Sequence, residues 1–353
     1  MGSQAVAIRA TGLVTSVGLS APATCAAIRA GVTNPVETRF ADRGGEWIMA
    51  HEVPLQRAWR GLDKLAMMAV TAIDEALAGV PPTEWRSIPM ILCIAEDGRP
   101  GRSAALDDRL FLMIEAALQA RFAESSLVVA RGRVSVAHAL DLSRRLLAQP
   151  AHDRVLIVAT DSQLSWPTLR HYLADDRLLT GANSNGFMPG EAAGALLVSL
   201  PDGQPRLTCR GVGFGDEGAW LGSGQPLRAD GLVTAINAAL SDAGCQMHDL
   251  GFRVSDLSGE QFFFKEAALA LGRTLKQRRA EYDLWHPAEC VGETGAAIGA
   301  IVLAVAEASC RKGYAASPDL LAHFANDTAP RAACVLGFGH GRSEGSQRQV
   351  DHG

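Results

Sequence analysis

Apolar and polar residues alternate along this chain in a pattern that predicts an α/β protein. Some apolar runs contain almost no polar position, as strands buried on both faces do; examples are IPMILCIA at 88–95 and RVLIVAT at 154–160. Longer stretches between these runs repeat apolar residues every three or four positions, which predicts helices. We therefore expect sheets covered by helices on both sides.

The predicted elements fall into two parts of the chain. In the first part we predict strands within 5–18, 88–95, 126–130, 154–160 and 193–200, and helices over 20–31, 61–82, 104–121 and from Gly132 onward. In the second part we predict strands within 206–214, 252–257 and 332–339, and helices over 230–244, 262–280 and 292–309. Ser20 is suited to an N-cap and Gly31 to the end of the first helix.

A faint internal repeat links the two parts. VTAIDEAL at 70–77 recurs as VTAINAAL at 233–240 with six of eight positions identical, at an offset of 163 (233 minus 70). The same offset places Gly132 on Gly295, and a predicted helix begins at each glycine. We therefore predict two duplicated halves, residues 1–202 and 203–340, joined near LPDGQPR, followed by a disordered tail at 341–353.

Composition narrows the classes of function. The 353 residues are 48% hydrophobic and 20% charged with a formal net charge of -5, and no basic patch points to nucleic acid or to an anionic membrane. The longest apolar run, 296–308, is too short to span a bilayer, and the N-terminus lacks a signal-peptide pattern, so we expect a cytoplasmic protein. The seven cysteines form no CxxC pair, which favours buried thiols over disulfides or a zinc site.

Four motifs resemble those of the β-ketoacyl synthases in the thiolase superfamily. They are GLVTSVG at 12–18, NSNGFMPGEAAGALLV at 183–198, GETGAAIGA at 292–300 and LGFGHG at 336–341, in the family's order and over nearly the whole chain. The resemblance implies two related βα halves packed into a five-layered αβαβα domain. It also implies a dimer, formed through the strand that precedes the nucleophile turn.

The residues that carry catalysis in that family differ in this chain. Such synthases hold an acyl group on a cysteine at a helix N-terminus, where it is activated as a thiolate, and use a lysine and two histidines beside it. Matching VVARGRVSVAHAL to the nucleophile turn places Arg133 at the cysteine position. Leu257, or Asp256, falls at the first histidine, and Ala288 and Glu293 fall at the lysine and the second histidine. We therefore predict no catalytic residue, no cofactor and no metal.

Two other pairs of side chains were candidates for nucleophilic chemistry. Ser135 and His138 are three residues apart on one predicted helix, a spacing that presents neither to a common carbonyl. His286 could activate Cys290, although a packed thiol is the more common role of such a cysteine. Arg133 and Glu293 head the two helices that meet at the former active site, and we hypothesise that they form a salt bridge there.

Two segments suggest contact with another protein. The glycine-dense segment 211–226 carries Trp220, and FFFKEAA at 262–268 has more consecutive aromatics than one helix face can bury. A protein partner, either a second copy or a different chain, would cover such surfaces.

The sequence leaves two functions open. The first is a catalytically inactive thiolase-fold protein that acts by protein binding. Its resemblance to triad-lacking proteins associated with type VI secretion implies an adaptor or co-chaperone that loads an effector. The second is a divergent β-ketoacyl synthase, or a chain-length-factor-like subunit acting on acyl-carrier thioesters with a catalytic partner.

Overall fold

The structure is a computed structural model that describes residues 4–339. The strands, in chain order, are β1 (Val6–Val14), β2 (Val36–Ala41), β3 (Trp47–Ala50), β4 (Met90–Ile94), β5 (Leu127–Ala130), β6 (Arg154–Ser162), β7 (Glu191–Ser199), β8 (Arg206–Asp216), β9 (Phe252–Ser255), β10 (Leu284–Trp285), β11 (Asp319–Ala325) and β12 (Pro330–Gly339). The helices are α1 (Ala21–Arg29), α2 (Gly61–Ala76), α3 (Leu106–Leu118), α4 (Ser135–Leu147), α5 (Trp166–Ala174), α6 (Asp230–Ala243), α7 (Gln261–Thr274), α8 (Ala288–Val291) and α9 (Ile298–Arg311). The predicted tail at 341–353 lies outside the described residues.

Ten of the strands form one sheet whose order shows the duplication. The order is β10-β9-β11-β12-β8-β1-β7-β6-β4-β5, so the five strands on one side of the β8–β1 junction mirror the five on the other. The junction itself is short, because only Val6↔Cys209 and Ala7↔Thr208 pair across it. The predicted boundary at 202/203 lies in the segment between β7 and β8, and we retain it as a proposal.

The sheet and helices stack in five layers. Helices α4 and α9 lie between the two five-stranded parts and contact strands of both. Helix α9 is apolar around nearly its whole circumference, as expected for a helix enclosed by protein. Helices α2 and α3 cover the outer face of the first part, and α6 and α7 cover that of the second. The predicted α/β class and αβαβα arrangement are confirmed.

Glycines allow helix α6 to lie unusually close to strand β8. Gly211, Gly213 and Gly215 alternate along the strand, and a Cβ on any of them would lie 2.1–2.2 Å from a backbone carbonyl oxygen of α6. Gly12 of β1 meets Ala72 of α2 in the same way, at 2.0 Å. Both halves therefore use strand glycines to seat their outer helix.

Several local predictions differ from the structure. Helix α7 ends at Thr274 instead of residue 280, because the chain turns back to begin β10 at Leu284. The helix predicted over 292–309 is interrupted, since Gly292 and Gly295 have φ of +73° and +55° and α9 begins only at Ile298. The β2–β3 hairpin, α5 and β11 are present in the structure but were not predicted from the sequence.

Ser20 caps helix α1 as predicted, because its hydroxyl accepts a hydrogen bond from the Ala23 N–H at 3.3 Å. No helix within residues 4–339 has the length and apolar character needed to cross a membrane.

Substituting Gly213→Ala is expected to destabilise the protein. The added methyl would lie 2.1 Å from the Ala235 carbonyl oxygen, so α6 must shift away from β8, at a cost of about 1–3 kcal/mol. Urea unfolding of the variant measures this loss. Gly218→Ala is the matched control, because no atom lies within 4 Å of its added Cβ, and an equal effect of both substitutions would contradict the account.

Candidate functional site

The N-terminal end of helix α4, here called its head, lies in the interior of the molecule. Gly132 has φ of +58° and opens a short turn, Gly132–Val134, that leads into the helix. A Cβ at Gly132 would lie 2.1 Å from a carboxylate oxygen of Glu96, so the turn requires glycine. Arg133 follows this glycine and is 7% exposed. The position predicted for a nucleophile therefore carries a buried guanidinium.

Arg133 is surrounded by three carboxylates. Its Nη1 donates to Glu293 Oε2 at 3.1 Å and its Nη2 to Asp327 Oδ1 at 2.6 Å. The Nε atom lies 3.8 Å from Asp256 Oδ2, and the guanidinium lies 4.8 Å from the ring centroid of Phe263. The hypothesised Arg133–Glu293 salt bridge is present. Burial alone would lower the pKa of Arg133, but the three carboxylates outweigh it and raise the pKa.

A second arginine completes the network from the opposite side. Arg177 donates to Glu260 through Nε at 2.8 Å and Nη2 at 2.7 Å, and to Asp327 Oδ2 through Nη1 at 2.7 Å. The Tyr172 hydroxyl donates to the same Asp327 oxygen at 3.0 Å. Burial would raise the pKa of Asp327, but the guanidiniums of Arg133 and Arg177 hold it well below its ordinary value.

Asp256 has an unusual pKa within this network. Burial raises it from 3.8 to about 7, and neither the charge of Arg133 nor the 2.8 Å hydrogen bond from the Ala325 N–H reverses the rise. The group is therefore close to half protonated at neutral pH. Its change of charge adds or removes one negative charge beside Arg133.

Glu293 also ties the network to the head of the second central helix. Its Oε1 accepts the Gly295 N–H at 2.9 Å and its Oε2 accepts the Ser258 hydroxyl at 2.9 Å. Nearby, Arg99 Nη1 lies 2.6 Å from both oxygens of Asp161, and Asp161 accepts the Ala296 N–H at 2.9 Å. The backbone donors that precede α9 thus bond to carboxylates that are each paired with an arginine, Glu293 with Arg133 and Asp161 with Arg99.

These side chains leave almost no space. The cavity remaining among them is about 10 Å³. That volume is at the lower limit for one water molecule. The site as described therefore has no room for an acyl chain.

The other predicted positions do not assemble a catalytic set. Leu257 packs in an apolar cluster with Phe263, while its neighbour Asp256 faces Arg133. Ala288 lies on α8 and packs in the central apolar core. The roles of Arg133, Leu257, Ala288 and Glu293 as former catalytic positions remain predictions.

The side chains of the two alternative pairs make other contacts, which do not serve nucleophilic chemistry. The Ser135 hydroxyl donates to the Val129 carbonyl at 3.2 Å, whereas the His138 ring stacks on Phe214 with 4.1 Å between centroids. Burial raises the pKa of the Cys290 thiol, which opposes thiolate formation. His286 Nδ1 lies 3.6 Å from a carboxylate oxygen of Glu289. Within residues 4–339, no three His, Cys, Asp or Glu side chains are grouped to hold a metal.

Arg177, Asp327 and Asp161 also contribute to the site and were not predicted from the sequence. Arg177 follows α5 and Asp327 lies in the turn between β11 and β12, two regions where elements had not been predicted. The sequence does contain a pattern that indicates Asp327. This acid lies between the buried run LLAHFA and a second buried run, which is a position typical of an acid at the end of a strand.

Comparisons with known proteins bear on the fold. No protein-family model matches the chain, and no curated protein is similar to it in sequence. The solved ishigamide ketosynthase/chain length factor is similar in structure, with a TM-score of 0.77 at 18% identity over 96% of this chain and 100% of that chain.

Two further solved complexes are similar. The ketosynthase ApeO with its chain length factor ApeC from Xenorhabdus doucetiae gives a TM-score of 0.71 at 14% identity, over 95% of this chain and 98% of that chain. AntDE:AntF, a type II PKS acyl-carrier protein in complex with its ketosynthase, gives a TM-score of 0.75 at 14% identity, over 95% of this chain and 99% of that chain. The chain therefore has the thiolase-like fold of ketosynthases and chain length factors.

Substituting Asp256→Asn is expected to change how stability depends on pH. Because the folded pKa of Asp256 is raised to about 7, the folded state binds more protons than the unfolded state between about pH 4 and 7. This group therefore favours folding at low pH, and its contribution is lost as pH rises through 7. Between pH 5 and 8 the wild type should lose on the order of 2 kcal/mol relative to Asp256→Asn.

Chemical unfolding of both proteins at pH 5 and pH 8 measures the difference, in which the contributions of groups that do not interact with Asp256 cancel. The exposed Asp63 on α2 provides the control Asp63→Asn, which should track the wild type at both pH values. A constant difference between the wild type and Asp256→Asn would contradict the raised pKa.

Proposed function

We propose that this chain is a non-catalytic, chain-length-factor-like subunit that binds a ketosynthase and supports its reaction on acyl-carrier thioesters. Its own site would carry no covalent acyl group. It would act by completing the partner's structure and by limiting the space available to the growing chain.

One observation carries this proposal, the buried guanidinium at the head of α4. Acyl transfer through a covalent intermediate requires a nucleophile there, and an arginine cannot serve because it stays protonated. Glu293 and Asp327 bind Arg133 directly, and the surrounding side chains leave about 10 Å³. A divergent condensing enzyme would need a thiol or hydroxyl with access to substrate, and the arrangement around Arg133 supports the subunit role better.

The structural neighbours favour a ketosynthase as the partner. Two of them are named as pairs of a ketosynthase with a chain length factor, and a third includes an acyl-carrier protein. The adaptor or co-chaperone role in type VI secretion remains a prediction that none of these comparisons tests. Binding of this protein to a secretion adaptor, and to no ketosynthase, would favour the adaptor role.

The free edge of the sheet at β5 is suited to binding the partner. β5 is the terminal strand and, within residues 4–339, pairs only with β4, so one row of its backbone groups is open for another strand. A groove of about 720 Å³ lies beside it, in which apolar side chains such as Phe111 and Leu112 are flanked by charged ones, among them Asp107 and Arg121. Leu112 is 56% exposed, which is unusual for a leucine beside an open strand edge.

Co-expression with each ketosynthase of the native host tests the proposal. We expect one ketosynthase to form a stable complex of equal stoichiometry, measured by size-exclusion chromatography with light scattering. That ketosynthase should condense acyl-carrier thioesters faster in the complex than alone. Leu112→Arg should weaken the complex about tenfold or more, because it replaces an exposed apolar side chain of the groove with a charged one.

The control is Leu19→Arg, which alters a leucine that is 43% exposed and lies outside the groove. Neither substitution should change the melting temperature of the isolated chain. A chain that binds no ketosynthase, or whose binding leaves condensation unchanged, would refute the proposed function.

A further inference from the structure

Arg253 on strand β9 is a buried arginine without a counter-charge. It is 6% exposed, and its side chain has no salt bridge and no hydrogen bond to any residue in 4–339. The Nε atom is fully buried and has no partner. Only its backbone is held, through a 2.8 Å hydrogen bond from the N–H to the Asp283 carbonyl oxygen.

The other buried arginines show how unusual this is. Arg133, Arg144 and Arg331 are comparably buried, and each donates to a carboxylate, at 3.1, 2.6 and 2.8 Å respectively. An unpaired charge inside a protein costs several kcal/mol, which is why buried charges are normally paired. Burial lowers the pKa of Arg253, in contrast to the raised values of Arg133 and Arg144.

A second cation and an aromatic ring lie beside Arg253. Its guanidinium is 5.4 Å from the ring centroid of Tyr282, and the guanidinium of Arg279 is 5.7 Å from the same centroid. Arg279 is exposed and donates to the backbone carbonyls of His248 and Leu250, with no carboxylate partner in the described chain. Lys276 and Arg278, on the same segment, are also exposed.

The segment 276–283 carries three cations and the two acids Glu281 and Asp283, so together with Arg253 its formal charge is +2 (4 minus 2), opposite in sign to the net charge of -5 of the whole chain. Each of the two guanidiniums lies against this ring and has no carboxylate partner among residues 4–339, so each keeps N–H donors that can serve a ligand. Guanidinium groups match the oxygens of phosphate in geometry, and a dianion would balance both charges.

We propose that Arg253, Arg279 and Tyr282 form a binding site for a phosphate-type oxyanion, either free or as a phosphate monoester. The bound anion would supply the counter-charge that Arg253 lacks. The ring of Tyr282 would hold both guanidiniums in place and contact the organic part of an ester. This site does not depend on the proposed role of the chain beside a ketosynthase.

Calorimetry and thermal unfolding of the full chain test the site. Inorganic phosphate should bind saturably and raise the melting temperature above that in sodium chloride of equal ionic strength, whereas acetate should have a weaker effect. Arg253→Met should weaken phosphate binding about tenfold or more, since one charge-assisted contact is lost. Arg279→Gln, at an exposed position, should also weaken binding and is a second variant that preserves the buried core.

Arg278→Gln is the matched control, because Arg278 is exposed on the same segment but is not one of the two guanidiniums on Tyr282. It should bind phosphate as the wild type does. Phenyl phosphate in place of inorganic phosphate distinguishes the sources, since tighter binding of the ester indicates a ligand with an organic body. The site is refuted if phosphate stabilises no more than chloride, or if Arg253→Met and Arg279→Gln both bind phosphate with unchanged affinity.

Discussion

The ion pair between Arg133 and its carboxylates is the interaction on which the centre of this molecule depends. Charges of this kind are stable in a protein interior only when every partner is in place, because the loss of one leaves the others buried and unpaired. Arg133 joins the head of α4 to Glu293, at the head of the second central segment, and to Asp327, beyond β11. The two duplicated halves are therefore linked at the point where their central helices begin.

The turn that carries Asp327 is itself held by a buried arginine. Arg331 donates from Nη1 to the carbonyl oxygens of Asn326 and Pro330, at 2.9 and 3.0 Å, and from Nε to Glu266 on α7. Asp327 is consequently fixed by the backbone on one side and by Arg133 and Arg177 on the other. Such a filled arrangement is suited to maintaining the fold around the start of α4.

The α/β class could be predicted from the sequence because buried strands and helical periodicity are local patterns, and the internal repeat indicated two halves. The five-layered arrangement followed from the resemblance to the β-ketoacyl synthases. The sequence also suggested the Arg133–Glu293 pair, since both residues follow from matching the helix heads. Asp327 and Arg177 were missed because their contacts join distant loops; Arg133 and Asp327 are 194 positions apart in the sequence. β11 was missed because His323, although buried, interrupts its apolar run, and the β2–β3 hairpin because much of it is exposed.

The mass of the intact protein after exposure to acyl-carrier and acyl-CoA thioesters tests the central claim most directly. The account predicts no stoichiometric gain, because the head of α4 holds Arg133 and five of the seven cysteines are buried. A variant with Cys245→Ser and Cys310→Ser removes the two half-buried thiols and so any background labelling. One acyl group per chain that persists in this variant, carried by a cysteine or hydroxyl inside the protein, would contradict the account.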